Sequence, residues 1–70
     1  MIKNVKGVEL VRLLLKEHNL KVKELAFHMN VLPNQLSNRL NGRIPITELW
    51  ARRFAETFTD YHWTDFLTDN

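Results

Sequence analysis

Residues 21–47 have the sequence KVKELAFHMNVLPNQLSNRLNGRIPIT, which contains two short helical patterns with a very short join between them. Four apolar residues of the first pattern recur at i, i+3, i+4 and i+7 and predict a helix: Val22, Leu25, Ala26 and Met29. Pro33 suits the first turn of a second helix, because its missing N–H would be unpaired there. Residues 30–32 leave room only for a sharp corner between the two helices.

The second helix has a face with amide and hydroxyl groups but no charge, formed by Asn34, Gln35, Ser37 and Asn38. One interpretation is a solvated surface, although Lys and Glu are stronger helix formers at such positions. The other is a surface that binds DNA, because an Asn or Gln side chain offers a donor and an acceptor together. That pair matches N6 and N7 of adenine in the major groove. The four residues alone leave both interpretations open.

Helical patterns continue on both sides of this pair. Upstream, apolar residues at helical spacing predict a helix over residues 6–18. Downstream, Thr47 is a natural N-cap for a fourth helix that ends near Phe58. This helix has two possible apolar stripes, one beginning at Leu49 and the other at Trp50. Spacing alone does not distinguish them.

The remaining residues complete one small domain over residues 1–70. Asp60 can cap a fifth helix, expected at about residues 60–67. Three residues that tolerate positive φ follow the first three helices: Asn19, Asn30 and Gly42. We therefore predict an all-α fold, a compact bundle of about five short helices joined by tight turns.

Charge is distributed unevenly along the chain. The net charge is +2, but residues 1–58 carry all ten Lys and Arg with five of the eight acidic residues. Residues 59–70 carry three Asp and no base. A basic body of this kind favours a polyanionic partner such as nucleic acid.

Composition argues against several other classes of protein. The chain has no Cys, and its three His lack the spacing of metal ligands, so we expect neither a disulfide nor a metal site. No apolar run approaches the roughly 20 residues of a membrane span, and no secretory segment follows the N-terminus. No nucleophile or acid–base set is present, so we expect no enzyme and no cofactor. A cytoplasmic, nucleoid-associated protein with no small-molecule ligand is the expectation.

Residues 11–58 resemble the helix-turn-helix domain of the phage repressor and Cro (xenobiotic-response-element) family. The matching residues are Leu20, Lys23-Glu24-Leu25-Ala26, Val31, Leu36-Ser37, Leu40-Asn41-Gly42-Arg43, Pro45-Ile46-Thr47, Ala51, Arg53, Phe54-Ala55 and Phe58. The resemblance implies a lambda-repressor-like fold with a helix-turn-helix core at about residues 22–41. It also implies a Cro-like repressor that binds a pseudo-palindromic DNA operator as a homodimer.

The resemblance further implies which residues contact DNA. Asn34 and Asn38 would contact base edges from the recognition helix, with Pro33, Ser37 and Gln35 as further candidates. The candidates for phosphate contacts are Lys21, Lys23, Arg39, Asn41, Arg43 and Thr47.

Five residues depart from the family pattern. Lys21 stands where Ser or Thr is common as a cap, and Asn30 stands where the family has its tight-turn glycine, although Asn tolerates positive φ. Val22 stands where the family often has a phosphate-binding Gln. Leu32 stands where Ser or Thr usually caps the recognition helix, so we expect a poorly capped helix start. Arg39 replaces an often apolar residue, and either lies along the core with its charge at the edge or contacts DNA.

The C-terminal part of the chain is rich in large apolar side chains: Trp50, Tyr61, Trp63, Phe66 and Leu67. They either close the core or form part of a homodimer contact.

The departures from the family pattern also leave room for a different function, a protein-interaction module of the antirepressor or antitoxin kind. Such a module keeps the fold but has weak or no DNA binding.

Overall fold

Four α-helices and one short 3₁₀ helix follow one another in the computed structural model, which describes residues 5–67. They are α1 (Val8–Glu17), α2 (Val22–Met29), α3 (Pro33–Leu40), α4 (Glu48–Thr57) and the 3₁₀ helix Trp63–Phe66. No strand occurs among the described residues, so the predicted all-α class is confirmed for them. The predicted start and end of α2 agree with the structure.

The predicted fifth α-helix at residues 60–67 is wrong, because this segment forms a single turn of 3₁₀ helix. The turn begins after His62 rather than after Asp60. Nδ1 of His62 accepts from the N–H of Thr64 at 3.3 Å, and Oδ2 of Asp65 accepts from the N–H of His62 at 3.1 Å. At Leu67 the backbone is extended again, so the segment is too short to establish i→i+4 bonds.

The helices α1 and α2 end in the same backbone motif. After α2, the N–H of Val31 donates to the carbonyl of Ala26 at 3.0 Å. The N–H of Asn30 donates to the carbonyl of Phe27 at 3.1 Å, which completes a Schellman motif. Asn30 has φ 60° and Asn19, at the end of α1, has φ 54°, so the left-handed conformation predicted for both residues is confirmed.

One apolar core lies between the helices and contains no buried polar residue within residues 5–67. Its members are Leu10, Val11, Leu14, Leu15, Leu25, Ala26, Met29, Leu36, Leu40, Ile46, Trp50, Ala51, Phe54, Phe58 and Phe66. Of the two possible stripes on α4, the structure has the one with Trp50, which is 7% exposed, whereas Leu49 is 60% exposed. None of the described helices is both long and apolar enough to cross a membrane.

The 3₁₀ helix closes this core at its C-terminal side. Phe66 is fully buried, and its ring centroid lies 5.5 Å from that of Phe54 and 6.4 Å from that of Phe58. The N–H of Gly7 donates to the carbonyl of Asp65 at 2.9 Å. The same short turn therefore packs on α4 and holds the start of α1.

Candidate nucleic-acid interface

The start of α3 is capped by a side chain from its own first turn. Leu32 occupies the N-cap in an extended conformation and has no polar side chain to donate or accept. Instead, Oε1 of Gln35 accepts a hydrogen bond from the N–H of Leu32 at 3.2 Å. This is one half of a capping box, and Glu24 forms the same bond to the N–H of Lys21 at 2.8 Å. The weakness predicted at this helix start is thus partly offset by Gln35.

One side of α3 faces the core and the other faces solvent. Leu36 and Leu40 are buried, and α3 packs on α1 and α2. The polar residues are outside: Asn34 and Gln35 are exposed, and Ser37 and Asn38 are partly exposed. Within residues 5–67, the side-chain amides of Asn34 and Asn38 have no hydrogen-bond partner. Both amides keep their donors and acceptor for a ligand, and Pro33 beside them is exposed.

The C-terminal end of α3 is bonded to Arg12, a residue of α1 that no motif in the sequence singles out. Nη2 of Arg12 donates to the carbonyl of Leu40 at 2.8 Å and to Oδ1 of Asn41 at 3.4 Å. Nδ2 of Asn41 in turn donates to Oγ of Ser37 at 3.4 Å. A cation suits this end of a helix because the last carbonyls carry partial negative charge. The side chains of Ser37 and Asn41, two predicted DNA contacts, are therefore partly engaged within the chain.

The loop after α3 brings a basic residue back beside the amide face. The N–H of Arg43 donates to the carbonyl of Asn38 at 2.9 Å, and that of Gly42 to the carbonyl of Arg39 at 3.2 Å. These are again the bonds of a Schellman motif, with Gly42 at φ 78°. At the ends of α1 and α2, the bond that corresponds to the one between Arg43 and Asn38 joins two apolar residues. After α3 the joined residues are Arg43 and Asn38, so a cation and an amide occupy the place of an apolar contact.

Arg39 lies along the core edge, one of the two alternatives for this residue. Its Cζ lies 3.9 Å from the centroid of the Trp50 ring, and Nη1 donates to the carbonyl of Gln35 at 2.9 Å. Nε is buried and has no hydrogen-bond partner among the described residues. Because the guanidinium is already engaged with an aromatic ring and a carbonyl, this geometry favours a role in packing over the predicted phosphate contact.

The other predicted phosphate contacts precede and follow α3 along the chain. Lys21 and Lys23 are exposed at the start of α2, and Arg43 is exposed after α3. Thr47 is the N-cap residue of α4, as predicted, and its side chain makes no capping hydrogen bond within residues 5–67. The residue is exposed beside the first turn of that helix.

The large apolar residues predicted for a dimer contact divide into two groups. Phe66 is fully buried and Trp50 nearly so, and both belong to the core of the chain itself. These two residues therefore follow the first alternative, in which the cluster closes the core, and they leave almost no surface for a partner. Tyr61, Trp63 and Leu67 remain partly exposed.

Among residues 5–67, no group of three or more His, Cys, Asp or Glu side chains is placed to hold a metal ion. No protein-family model matches the chain, and comparisons with curated proteins and with solved structures found no match. The residues themselves therefore carry the argument for a function.

Proposed function

We propose that the chain is a sequence-specific DNA-binding regulator in which α2, the corner at residues 30–32 and α3 act as a helix-turn-helix. The observation that carries this proposal is the outward position of the side-chain amides of Asn34 and Asn38. Both amides face outward and have no hydrogen-bond partner among residues 5–67, on a helix whose opposite side is anchored by Leu36 and Leu40. A rigid helix with outward amides is the arrangement that direct contact with base edges requires.

The spacing of the two amides fits neighbouring base pairs. Residues four apart on a helix lie one above the other, with Cβ atoms about 5–6 Å apart. Each Asn can form a bidentate pair with N6 and N7 of adenine, and such a pair is worth roughly 1–3 kcal/mol of discrimination. We therefore expect adenines at neighbouring positions in each half-site.

The exposed cations supply the part of the affinity that does not depend on sequence. Lys21 and Lys23 precede α3 along the chain, and Arg43 follows it. Exposed cations near a helix in the major groove can bind the phosphate backbone and position the protein on the duplex. Each such contact releases counterions, so the affinity should fall steeply as salt is added.

We further propose that two copies bind a pseudo-palindromic operator, as a Cro-like repressor does, and exclude polymerase from a promoter. A two-fold dimer would contact half-sites one helical turn apart, about 10 bp, or a multiple of it. With Trp50 and Phe66 in the core, the proposed dimer contact consists of Tyr61, Trp63 and Leu67. The site of action would be the cytoplasmic nucleoid.

A second candidate is a protein-interaction module of the antirepressor or antitoxin kind. The observation that favours it is Phe27, which lies on α2 and is 82% exposed. An aromatic ring with so much exposed surface is a natural anchor for a protein partner.

Selection of bound fragments from random DNA, followed by mobility shift at about 100 mM salt, tests the proposal. We expect a consensus with two-fold symmetry and a specific complex whose sedimentation matches two copies of the chain. No shift at micromolar protein on selected or random DNA would reject the proposal in favour of the interaction module. Trp63→Ala should weaken the two-copy complex while leaving the helical circular dichroism unchanged.

A further inference from the structure

Leu32 is an apolar residue at a position where physics favours a polar one. It is the N-cap of α3, a position at which Ser, Thr, Asp or Asn is strongly preferred. Its side chain is 61% exposed, so burial in the core does not explain its presence. The combination of an apolar N-cap residue and an exposed side chain leaves this leucine available to a partner outside the chain.

The backbone on either side holds Leu32 in place. Before it, the N–H of Val31 is bonded to Ala26 of α2. Its own N–H is held by Gln35, and its carbonyl accepts from the N–H groups of Gln35 and Leu36 at 3.1 and 3.2 Å. The exposed side chain thus projects from a fixed point at the leading end of α3, two residues before Asn34.

We infer that Leu32, with the exposed ring of Pro33 beside it, contacts the C5-methyl group of a thymine in each half-site. This inference rests on the proposed function, because it requires the leading end of α3 to enter the major groove. The base edges in that groove carry donors, acceptors and one apolar group, the thymine methyl. An apolar side chain fixed at the leading end of α3 therefore has one chemical partner there.

The inference narrows the expected half-site. Leu32 and Asn34 leave the same turn at the start of α3, so the thymine should lie within a base pair or two of the adenine bound by Asn34. The operator should then contain an A·T-rich step at this place. Recognition of this thymine would depend on its methyl group and not on a hydrogen bond.

Deoxyuridine tests this point, because it differs from thymidine by the methyl group alone. Each thymine of the selected operator is replaced in turn, symmetrically in both half-sites, and the dissociation constant is measured by fluorescence anisotropy. For the unmodified protein, we expect one replacement to weaken binding about fourfold per half-site, the effect of losing one buried methyl-sized group. The other replacements should change the affinity little.

Leu32→Ala and Leu32→Ser assign the effect to this side chain. Both variants should bind the thymine operator more weakly and should not distinguish it from the deoxyuridine operator at the sensitive position. The matched control is Leu49→Ala, which removes an equally exposed leucine from α4 and should keep the full sensitivity. Comparing the variants on both duplexes isolates the pairwise contact from any general effect of uracil on the DNA.

Two results would overturn the inference while leaving the proposed function intact. The first is specific operator binding that no thymine replacement weakens. The second is a Leu32→Ala variant that keeps the full sensitivity to deoxyuridine. A protein with no preference for any operator would instead reject the proposed function, and the inference with it.

Discussion

The guanidinium carbon of Arg39 lies 3.9 Å from the centroid of the Trp50 ring, so a charged side chain of α3 covers a core aromatic of α4. The contact joins the helix with the outward amides to α4, which carries two of the four buried aromatics, Trp50 and Phe54. Arg39 therefore helps to hold α3 against α4, whereas the side chains of Asn34 and Asn38 on the same helix face solvent.

Arg39→Ala should lower the free energy of unfolding by about 1 kcal/mol, because it removes a cation–π contact and the packing of the alkyl stem. Urea unfolding measures this. The matched control is Arg52→Ala, since Arg52 lies 4.4 Å over Trp63 at the exposed surface and also pairs with Glu48 at 2.8 Å. Arg52→Ala should therefore lower the free energy of unfolding by less than Arg39→Ala does. If Arg39→Ala reduced the slope of log K against log salt by about 1, as the loss of one phosphate contact does, Arg39 would be a phosphate ligand after all.

Asn38→Ala and Lys23→Ala should have opposite signatures on DNA. The first should cost roughly 1–3 kcal/mol on the operator and relax the preference at one base position, because it removes a bidentate contact. The second should weaken operator and random DNA alike and reduce the slope of log K against log salt by about 1. Titrations on both DNAs at several salt concentrations separate the two effects. Equal losses on operator and random DNA for both variants would show that Asn38 does not contact a base.

Gln35→Ala should destabilise the fold by about 1 kcal/mol, because the N–H of Leu32 loses its only side-chain acceptor within residues 5–67. Gln35→Glu is the informative control, since it keeps the acceptor and adds a charge that the N-terminus of α3 favours. Thermal unfolding should show near-normal stability for Gln35→Glu. Its DNA affinity should fall, because a carboxylate would face the bases and phosphates. Unchanged stability in Gln35→Ala would mean that the cap contributes nothing.

Leu32→Ser should raise the stability by up to about 1 kcal/mol, because Ser supplies the missing N-cap side chain and little buried surface is lost. The same variant is expected to bind the operator more weakly. A gain in melting temperature together with a loss of affinity would be the mark of a residue kept for binding. A drop in melting temperature would show that Leu32 has a packing role.

Phe66→Ala should cost roughly 3–5 kcal/mol and leave the chain largely unfolded at 37 °C, because the ring is fully buried against three other aromatics, Phe54, Phe58 and Tyr61. A domain of this size has little stability to lose. Circular dichroism and urea titration measure the effect, with Leu49→Ala as an exposed control that should change the stability by less than about 0.5 kcal/mol. A folded Phe66→Ala variant would mean that the 3₁₀ helix is dispensable for the core.

Local patterns predicted the fold well where short-range physics decides it. The apolar stripe of α2, Pro33 at the start of α3 and the left-handed conformation of Asn30 all follow from interactions within a few residues. The fifth helix was predicted wrongly, because the pairing of His62 with Asp65 starts a tighter turn than the apolar spacing indicates. The choice between Leu49 and Trp50 also needed the packed core, since both residues have acceptable helical spacing.

The candidate interface could likewise be predicted from the sequence only in part. The outward position of Asn34 and Asn38 follows from the helical period once Leu36 and Leu40 are placed inside. The role of Arg12 could not be predicted, because it bonds to a carbonyl 28 residues away. That contact exists only after α1 and α3 have packed together.

The hydrogen bond from Gly7 to Asp65 brings the two ends of the described chain side by side. The start of α1 and the 3₁₀ helix therefore meet at one place, so a linker between the two ends of the described chain could be short. A circular permutant opened between the exposed residues Ile44 and Pro45, beyond the hydrogen bonds that close α3, could retain every helix in its place.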